Sequence, residues 1–245
     1  MGGLDYSKGT ALKNLEHGLK IGSKEFHDGL IARMGWLLPA IIIPVSMLIH
    51  LISGNSRDFP FFISESDFPG LERWVFTIGM TISGLVQMLF AYRMWYSMRD
   101  DGRRKLMHCT LACGLITGAN LTIMAFANMY DYILIHVITA SIVFQFGMLW
   151  ALLAHLSLPK ANKKGRAIRY WSLVIALFSY IIMTFSISRA IKELDNYGLE
   201  NDTIFTLNSI QDAVDVAAYA EYGLFIGLVL ALYSFESDFR IKAEN

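Results

Sequence analysis

Six long apolar stretches dominate this chain and restrict it to folds that a lipid bilayer allows. They cover residues 31–53, 74–96, 106–128, 132–158, 170–190 and 213–235. Each is long enough, at about 20 residues, for one helix to cross a hydrocarbon core of about 30 Å. Only helices and closed barrels satisfy backbone groups in lipid, and these stretches lack the alternation of barrel strands. We therefore predict an all-α polytopic membrane protein, a bundle of six transmembrane helices.

Composition supports one membrane domain with short flanking segments. Of the residues in the chain, 54% are hydrophobic and 17% are charged, whereas about a quarter of the residues in soluble domains are charged. We assign residues 31–239 to the transmembrane domain, 1–30 to an N-terminal segment and 240–245 to a tail. Leucines between lysines in residues 1–30 fit either a helix on the membrane surface or a solvated lead-in. The net charge of +0 gives no sign of a nucleic-acid partner.

Basic residues concentrate in alternate links between the stretches. The link between the fourth and fifth stretches carries no acid and holds Lys160, Lys163, Lys164, Arg166 and Arg169. Because cytoplasmic links are enriched in Lys and Arg, both termini are predicted to be cytoplasmic. We expect these five side chains to contact anionic lipid headgroups, at about 1 kcal/mol each.

The links predicted to face outside or a lumen have a different character. Residues 59–69 are rich in Phe and contain two prolines, so we expect them to fold back as a cap over the helix ends. Asn201 begins an Asn-Asp-Thr sequon, a glycosylation site if the host is eukaryotic.

Polar residues within the spans are the candidate site, because buried ionisable groups are costly in lipid. Glu221, Asn120 and His136 are expected at one level of the outer half, Glu221 roughly 12 Å deep by the helical rise. Arg189 and Asp215, at the outer ends, could extend this cluster. It would serve either as a structural hydrogen-bonded group or as a ligand-binding site. Deeper in the bundle, Gln87 and Gln145 could share a hydrogen bond.

Catalytic signatures are absent from the sequence. The histidines are scattered over different spans, with no H-x-x-x-H or H-E-x-x-H pattern, and no G-x-S-x-G elbow is present. We therefore predict no catalytic residue, no metal site and no cofactor.

Two small-xxx-small pairs are expected to bring helix backbones together in lipid. They consist of Gly114, Gly118, Gly223 and Gly227. The pairs could form the interface of a homo-oligomer or of a partner membrane protein. They could equally pack helices within one chain.

Three groups of residues, in this order and spacing, resemble the DRAM/Frag/Sfk family of six-span membrane proteins. They are Pro60-Phe61-Phe62-Ile63-Ser64 with Pro69, Glu72 and Phe76; His136; and Glu221-Tyr222 with Phe235-Glu236-Ser237-Asp238-Phe239. The resemblance implies roles in autophagy and lysosomal membranes, in phospholipid asymmetry, or in the lipid remodelling of GPI anchors. It also implies a plasma-membrane or endomembrane location in a eukaryote.

Together these features favour a non-catalytic protein that binds or organises membrane lipid. The alternatives are a lipid-remodelling enzyme of the GPI-anchor type, its accessory subunit, or a protein-binding adaptor. His136 with Glu221 is the one acid–base pair that an enzyme could use.

Overall fold

Six helices form the structure, a computed structural model that describes residues 18–21, 24–159, 161–196 and 207–239. The helices are α1 (Asp28–Ile52), α2 (Leu71–Met98), α3 (Arg104–Phe126), α4 (Ile133–Ser157), α5 (Lys163–Asn196) and α6 (Gln211–Ser234). In the described part of the chain, these six helices are long and apolar enough to cross a membrane. The predicted all-α fold with six transmembrane helices is confirmed. Each predicted stretch coincides with one helix to within three residues at its ends, except that α5 extends beyond the stretch 170–190 by seven residues at its start and six at its end.

The N-terminal segment contains two antiparallel β-strands where a surface helix was one expectation. Strands β1 (Gly18–Ile21) and β2 (Lys24–His27) pair antiparallel, with Leu19 opposite Phe26. These two side chains pack against the helix bundle, so the apolar residues face protein. The helix expectation is wrong for these residues, and residues 1–17 lie outside the described part.

Five of the helices enclose the centre of the bundle, and the sixth lies beside them. Helices α1 to α4 pack as neighbours in chain order, and α6 packs against α1. Helix α5 packs chiefly against α6 and is the least buried of the six. Helices α4 and α6 touch only sparsely. We call this line of few contacts the α4–α6 seam.

The glycine pairs bring helices together within the chain. A Cβ atom added to Gly118 would lie 2.6 Å from the carbonyl oxygen of Gly84, so the backbones of α2 and α3 touch there. A Cβ atom on Gly227 would lie 2.8 Å from the carbonyl oxygen of Ser172 on α5. Gly114 and Gly223 are packed in the same way, against α2 with α4 and against α5. An oligomer built on these four glycines would need surface that neighbouring helices already occupy.

Ion pairs fasten one end of the bundle, which we call the basic end. This end contains the links 99–103 and 158–162, together with residues 235–239 after α6. Three arginine–carboxylate pairs there have N···O distances of 2.6 Å: Arg93–Asp28, Arg33–Glu236 and Arg169–Asp238. In addition, the Trp36 indole donates to Glu236, and Phe235 packs against Phe90. Residues 235–239 therefore tie α6 to α1, α2 and α5.

Arg169 belongs to this fastening and does not reach the surface. Its side chain is 0% exposed, it donates to Asp238 and Ser234, and its guanidinium lies 3.6 Å from the Phe235 ring centroid. The prediction that Arg169 contacts lipid headgroups is wrong. A sequence shows that a residue is basic, but not that it pairs in the interior with a carboxylate from a distant part of the chain.

Candidate functional site

A cavity of about 100 Å³ lies at the centre of the bundle. Its walls come from α1, α2, α3, α4 and α6 and from residues 63 and 64, with no described residue of α5. Most of the lining is apolar. Besides the Trp150 indole, the polar side chains in it are Ser64, Gln87, Thr117, His136 and Glu221.

Glu221 lies on α6, at the end of the cavity that residues 59–69 cover. It is buried, and its Oε2 accepts a hydrogen bond of 2.6 Å from the backbone N–H of Ile63. Ile63 begins a 3₁₀ turn, Ile63–Ser66, and the first N–H groups of a helical turn have no partner within it. The Glu221 carboxylate therefore anchors this turn to α6 from 158 positions away along the chain.

His136 reaches the same cavity from the first turn of α4. It is buried, and its Nδ1 lies 2.7 Å from the carbonyl oxygen of Ala127, just after the end of α3. A carbonyl only accepts, so Nδ1 carries the proton in this contact and Nε2 of the neutral ring is an acceptor. Among the described residues, no hydrogen bond joins His136 to Glu221, but both border one cavity.

The cap predicted for residues 59–69 is confirmed, and we call the end of the bundle that it covers the capped end. The cap is held at several points besides Ile63. The Tyr222 hydroxyl donates to the Phe61 carbonyl, and the Tyr130 hydroxyl donates to the Glu65 carbonyl at 2.8 Å. The cap therefore contacts α6 and the link between α3 and α4, and its residues Ile63 and Ser64 line the polar end of the cavity.

The other predicted members of the cluster lie elsewhere. Asn120 donates to the Ile116 carbonyl of its own helix, and Asp215 accepts from Gln211 on the same helix. Arg189 is exposed near the end of α5. None of the three lines the cavity, so the predicted five-residue cluster reduces to His136 and Glu221.

Gln87 and Gln145 do not pair as expected. Gln87 lines the cavity, whereas Gln145 donates to the Tyr180 hydroxyl on α5. Spacing along two helices did not show which of their faces meet.

A second polar group lies at the capped end and was not predicted as a site. Glu72, at the start of α2, is buried and accepts from Asn55 at 3.0 Å and from Ser53, and it lies 3.4 Å from His50. His50 lies in the last turn of α1 and is also buried. In the sequence, Glu72 was noted only as one of the residues that resemble the family pattern. The available signal was an acid three residues after Pro69, at the first turn of a span.

Asp67 in the cap is buried without a hydrogen bond. Neither carboxylate oxygen accepts one within the described chain, and the nearest charged nitrogen is Arg73 Nε at 3.9 Å from Oδ1. Arg73 also lies 3.5 Å from Asp131. Burial raises the pKa of the Asp67 carboxyl to about 7, while the charge of Arg73 works in the opposite direction.

The other basic residues predicted to contact lipid headgroups differ in their exposure. Lys163 and Lys164 are exposed, and half-buried Arg166 donates to the carbonyls of His155 and Leu158. Lys160 and the sequon residue Asn201 lie outside the described residues. In the part of the chain that the structure describes, no three His, Cys, Asp or Glu side chains are grouped as metal ligands.

Six helices long and apolar enough to span a membrane, five of which line a capped, largely apolar cavity, define a multi-pass integral membrane protein. The chain belongs to the Frag1/DRAM/Sfk1/Cwh43P N-terminal domain family, which matches residues 33–242. The family that the sequence motifs suggested is thereby confirmed. No curated protein and no solved structure matches the chain.

Proposed function

We propose that the protein binds the hydrocarbon chain of a membrane lipid in its central cavity and so takes part in membrane homeostasis or trafficking. The cavity supports this most directly, because it combines apolar walls with a polar end formed by His136 and Glu221. Ligand sites commonly combine apolar lining with a few placed polar groups.

The size of the cavity limits what it can hold in this conformation. Its volume of about 100 Å³ is smaller than the roughly 150 Å³ engineered cavity that binds benzene in another protein. It therefore accommodates part of one hydrocarbon chain. Helices α4 and α6 pack sparsely against each other, so we expect the bundle to widen along the α4–α6 seam to hold a longer part of the chain.

The test compares a variant that fills the cavity with one that adds the same side chain outside it. Ala140 lines the cavity on α4, whereas Ala112 is exposed on α3. After purification in mild detergent, lipid bound to each protein is extracted and quantified by mass spectrometry. We expect the amount of one co-purifying lipid class per protein to fall at least tenfold in Ala140→Leu and to stay at the wild-type level in Ala112→Leu. Equal lipid content in two equally folded variants would contradict the proposal.

A lipid-remodelling enzyme is the second candidate, and one observation favours it. His136 and Glu221 border the same cavity, so an acid and a base could reach one bound ester. Release of fatty acid or exchange of acyl chains by the purified protein, lost in both His136→Gln and Glu221→Gln, would support this candidate. Lipid binding without turnover would leave the first proposal in place.

The exposed lysines support a further part of the proposal. Lys163 and Lys164 begin α5 at the predicted cytoplasmic side, where anionic headgroups are most abundant. We assign contact with those headgroups to them, together with Lys160 and the partly exposed Arg166.

A further inference from the structure

The polar end of the cavity presents hydrogen-bond acceptors. Glu221 uses Oε2 for the Ile63 N–H, and His136 uses Nδ1 for the Ala127 carbonyl. Because both residues line the cavity, Glu221 Oε1 and His136 Nε2 are the atoms that they retain for a ligand. In its ionised form the Glu221 carboxylate accepts at both oxygens, and the second nitrogen of a neutral imidazole also accepts hydrogen bonds.

Positive charge is missing from this part of the lining. No Lys or Arg is among the described residues that border the cavity. Two arginines of the capped end are engaged elsewhere: Arg57 donates to Glu65 and Gln211, and Arg73 lies between Asp67 and Asp131. A phosphate placed beside Glu221 would therefore be desolvated without a counter-charge, which is strongly unfavourable.

Away from Glu221 the cavity becomes apolar. Its α6 wall runs from Glu221 to Leu232, which at 1.5 Å per residue is about 16 Å. Phe225, Leu228 and Val229 line this wall beyond the first turn. A ligand that matches both the polar end and the apolar part of the cavity has a polar head at the cap and one hydrocarbon chain that extends towards the middle of the bundle.

We propose that the cavity selects a single-chain amphiphile whose head donates a hydrogen bond, a hydroxyl or a primary amine, and that it rejects a phosphate head. This inference rests on the proposed function, because it assumes that a chain occupies the cavity. The protein would then have two kinds of lipid contact. Lys163 and Lys164 would contact anionic headgroups at the surface, and the cavity would bind a head with a hydroxyl or a primary amine.

Three ligands that differ only in the head test the selection. Protein freed of bound lipid is placed in phosphatidylcholine nanodiscs and titrated with 1-dodecanol, dodecylamine and dodecyl phosphate, and binding is measured by native mass spectrometry. We expect the alcohol and the amine to bind at least tenfold more tightly than the phosphate. Glu221→Gln replaces an acceptor oxygen by an N–H₂ donor and should weaken amine binding at least tenfold.

Asp215→Asn provides the matched control. It removes a carboxylate charge from the same helix near the capped end, but Asp215 does not line the cavity. Its ligand preferences should equal those of the wild type. Equal binding of all three ligands, or tighter binding of the phosphate, would overturn the selection and leave lipid-chain binding intact. Failure of all three to bind would overturn the proposed function as well.

Discussion

Glu221 combines two roles at the scale of one residue, since its carboxylate anchors the cap and borders the cavity. Glu221→Leu removes the acceptor of the Ile63 N–H, and an unsatisfied buried donor costs about 1–3 kcal/mol. Glu221→Gln keeps an oxygen in the same position. We expect Leu to lower the melting temperature in detergent by several degrees and Gln to lower it much less. Identical melting temperatures for the two variants would show that this hydrogen bond does not hold the cap.

Asp67 makes the stability of the cap dependent on pH. Its pKa is about 7 in the folded protein and about 3.9 in an unfolded chain, so between these values the folded state holds a proton that the unfolded state lacks. The resulting stabilisation is complete below about pH 4 and is lost as the pH rises through 7. We expect the melting temperature to fall by a few degrees between pH 5 and pH 8.

Asp67→Asn should flatten this pH profile and raise the melting temperature at pH 8, because an amide carries no charge to desolvate. Asp58→Asn in the same link is the control, since Asp58 is exposed. A pH profile that survives Asp67→Asn would assign the dependence to another group.

At the scale of helices, close backbone contact between α2 and α3 should tolerate no added methyl group. In Gly118→Ala the new Cβ would meet the Gly84 carbonyl oxygen at 2.6 Å, and overpacking typically costs about 1–3 kcal/mol. In Gly147→Ala the nearest atom, on Leu228, is 3.5 Å away, an ordinary contact. Thermal unfolding in detergent should show a clear loss for Gly118→Ala and little change for Gly147→Ala. Equal losses would place the tight contact elsewhere.

Near the start of α5, Arg169 is buried and structural, whereas Lys163 and Lys164 are exposed and proposed to contact lipid. Substitution should separate the structural role from lipid contact. Arg169→Gln leaves Asp238 buried without its partner, and breaking such a pair typically costs about 3–5 kcal/mol. Replacing Lys163 and Lys164 together by Gln should preserve the melting temperature but reduce co-purifying anionic lipid. The assignment fails if the double variant unfolds early or if its anionic lipid content is unchanged.

For the molecule as a whole, orientation in the membrane is the main prediction still to be measured. With Cys109 and Cys113 replaced by Ser, single cysteines at Asp58 and Asp212 should react with an impermeant thiol reagent outside intact cells, or within the lumen of an organelle. Cysteines at Asp100 and Lys163 should be protected until the membrane is opened, because Lys and Arg are retained on the cytoplasmic side. The reverse pattern would invert the topology and move the cap to the cytoplasm.

Sequence reasoning succeeded where one segment determines its own structure and failed where distant segments meet. Six spans were predictable because each is sufficiently long and apolar by itself. The burial of Arg169 depends on Asp238, which is 69 positions away, and the anchoring of Ile63 by Glu221 spans 158 positions. Helical depth placed His136 and Glu221 at one level, and both line the cavity, but depth alone could not show that Asn120 does not line it. The pairing of β1 with β2 was missed because Leu19 and Phe26, seven residues apart, also fit the spacing of one helix face.

The two ends of the bundle are held by more specific contacts than the side on which α4 meets α6. The cap and the three arginine–carboxylate pairs hold the ends, whereas α4 and α6 contact each other sparsely and are bridged mainly by α5. A ligand that entered through the α4–α6 seam would come from within the bilayer instead of from water. Its rate of exchange would depend on the fluidity and lateral pressure of the surrounding lipid, and its occupancy on its mole fraction in the membrane.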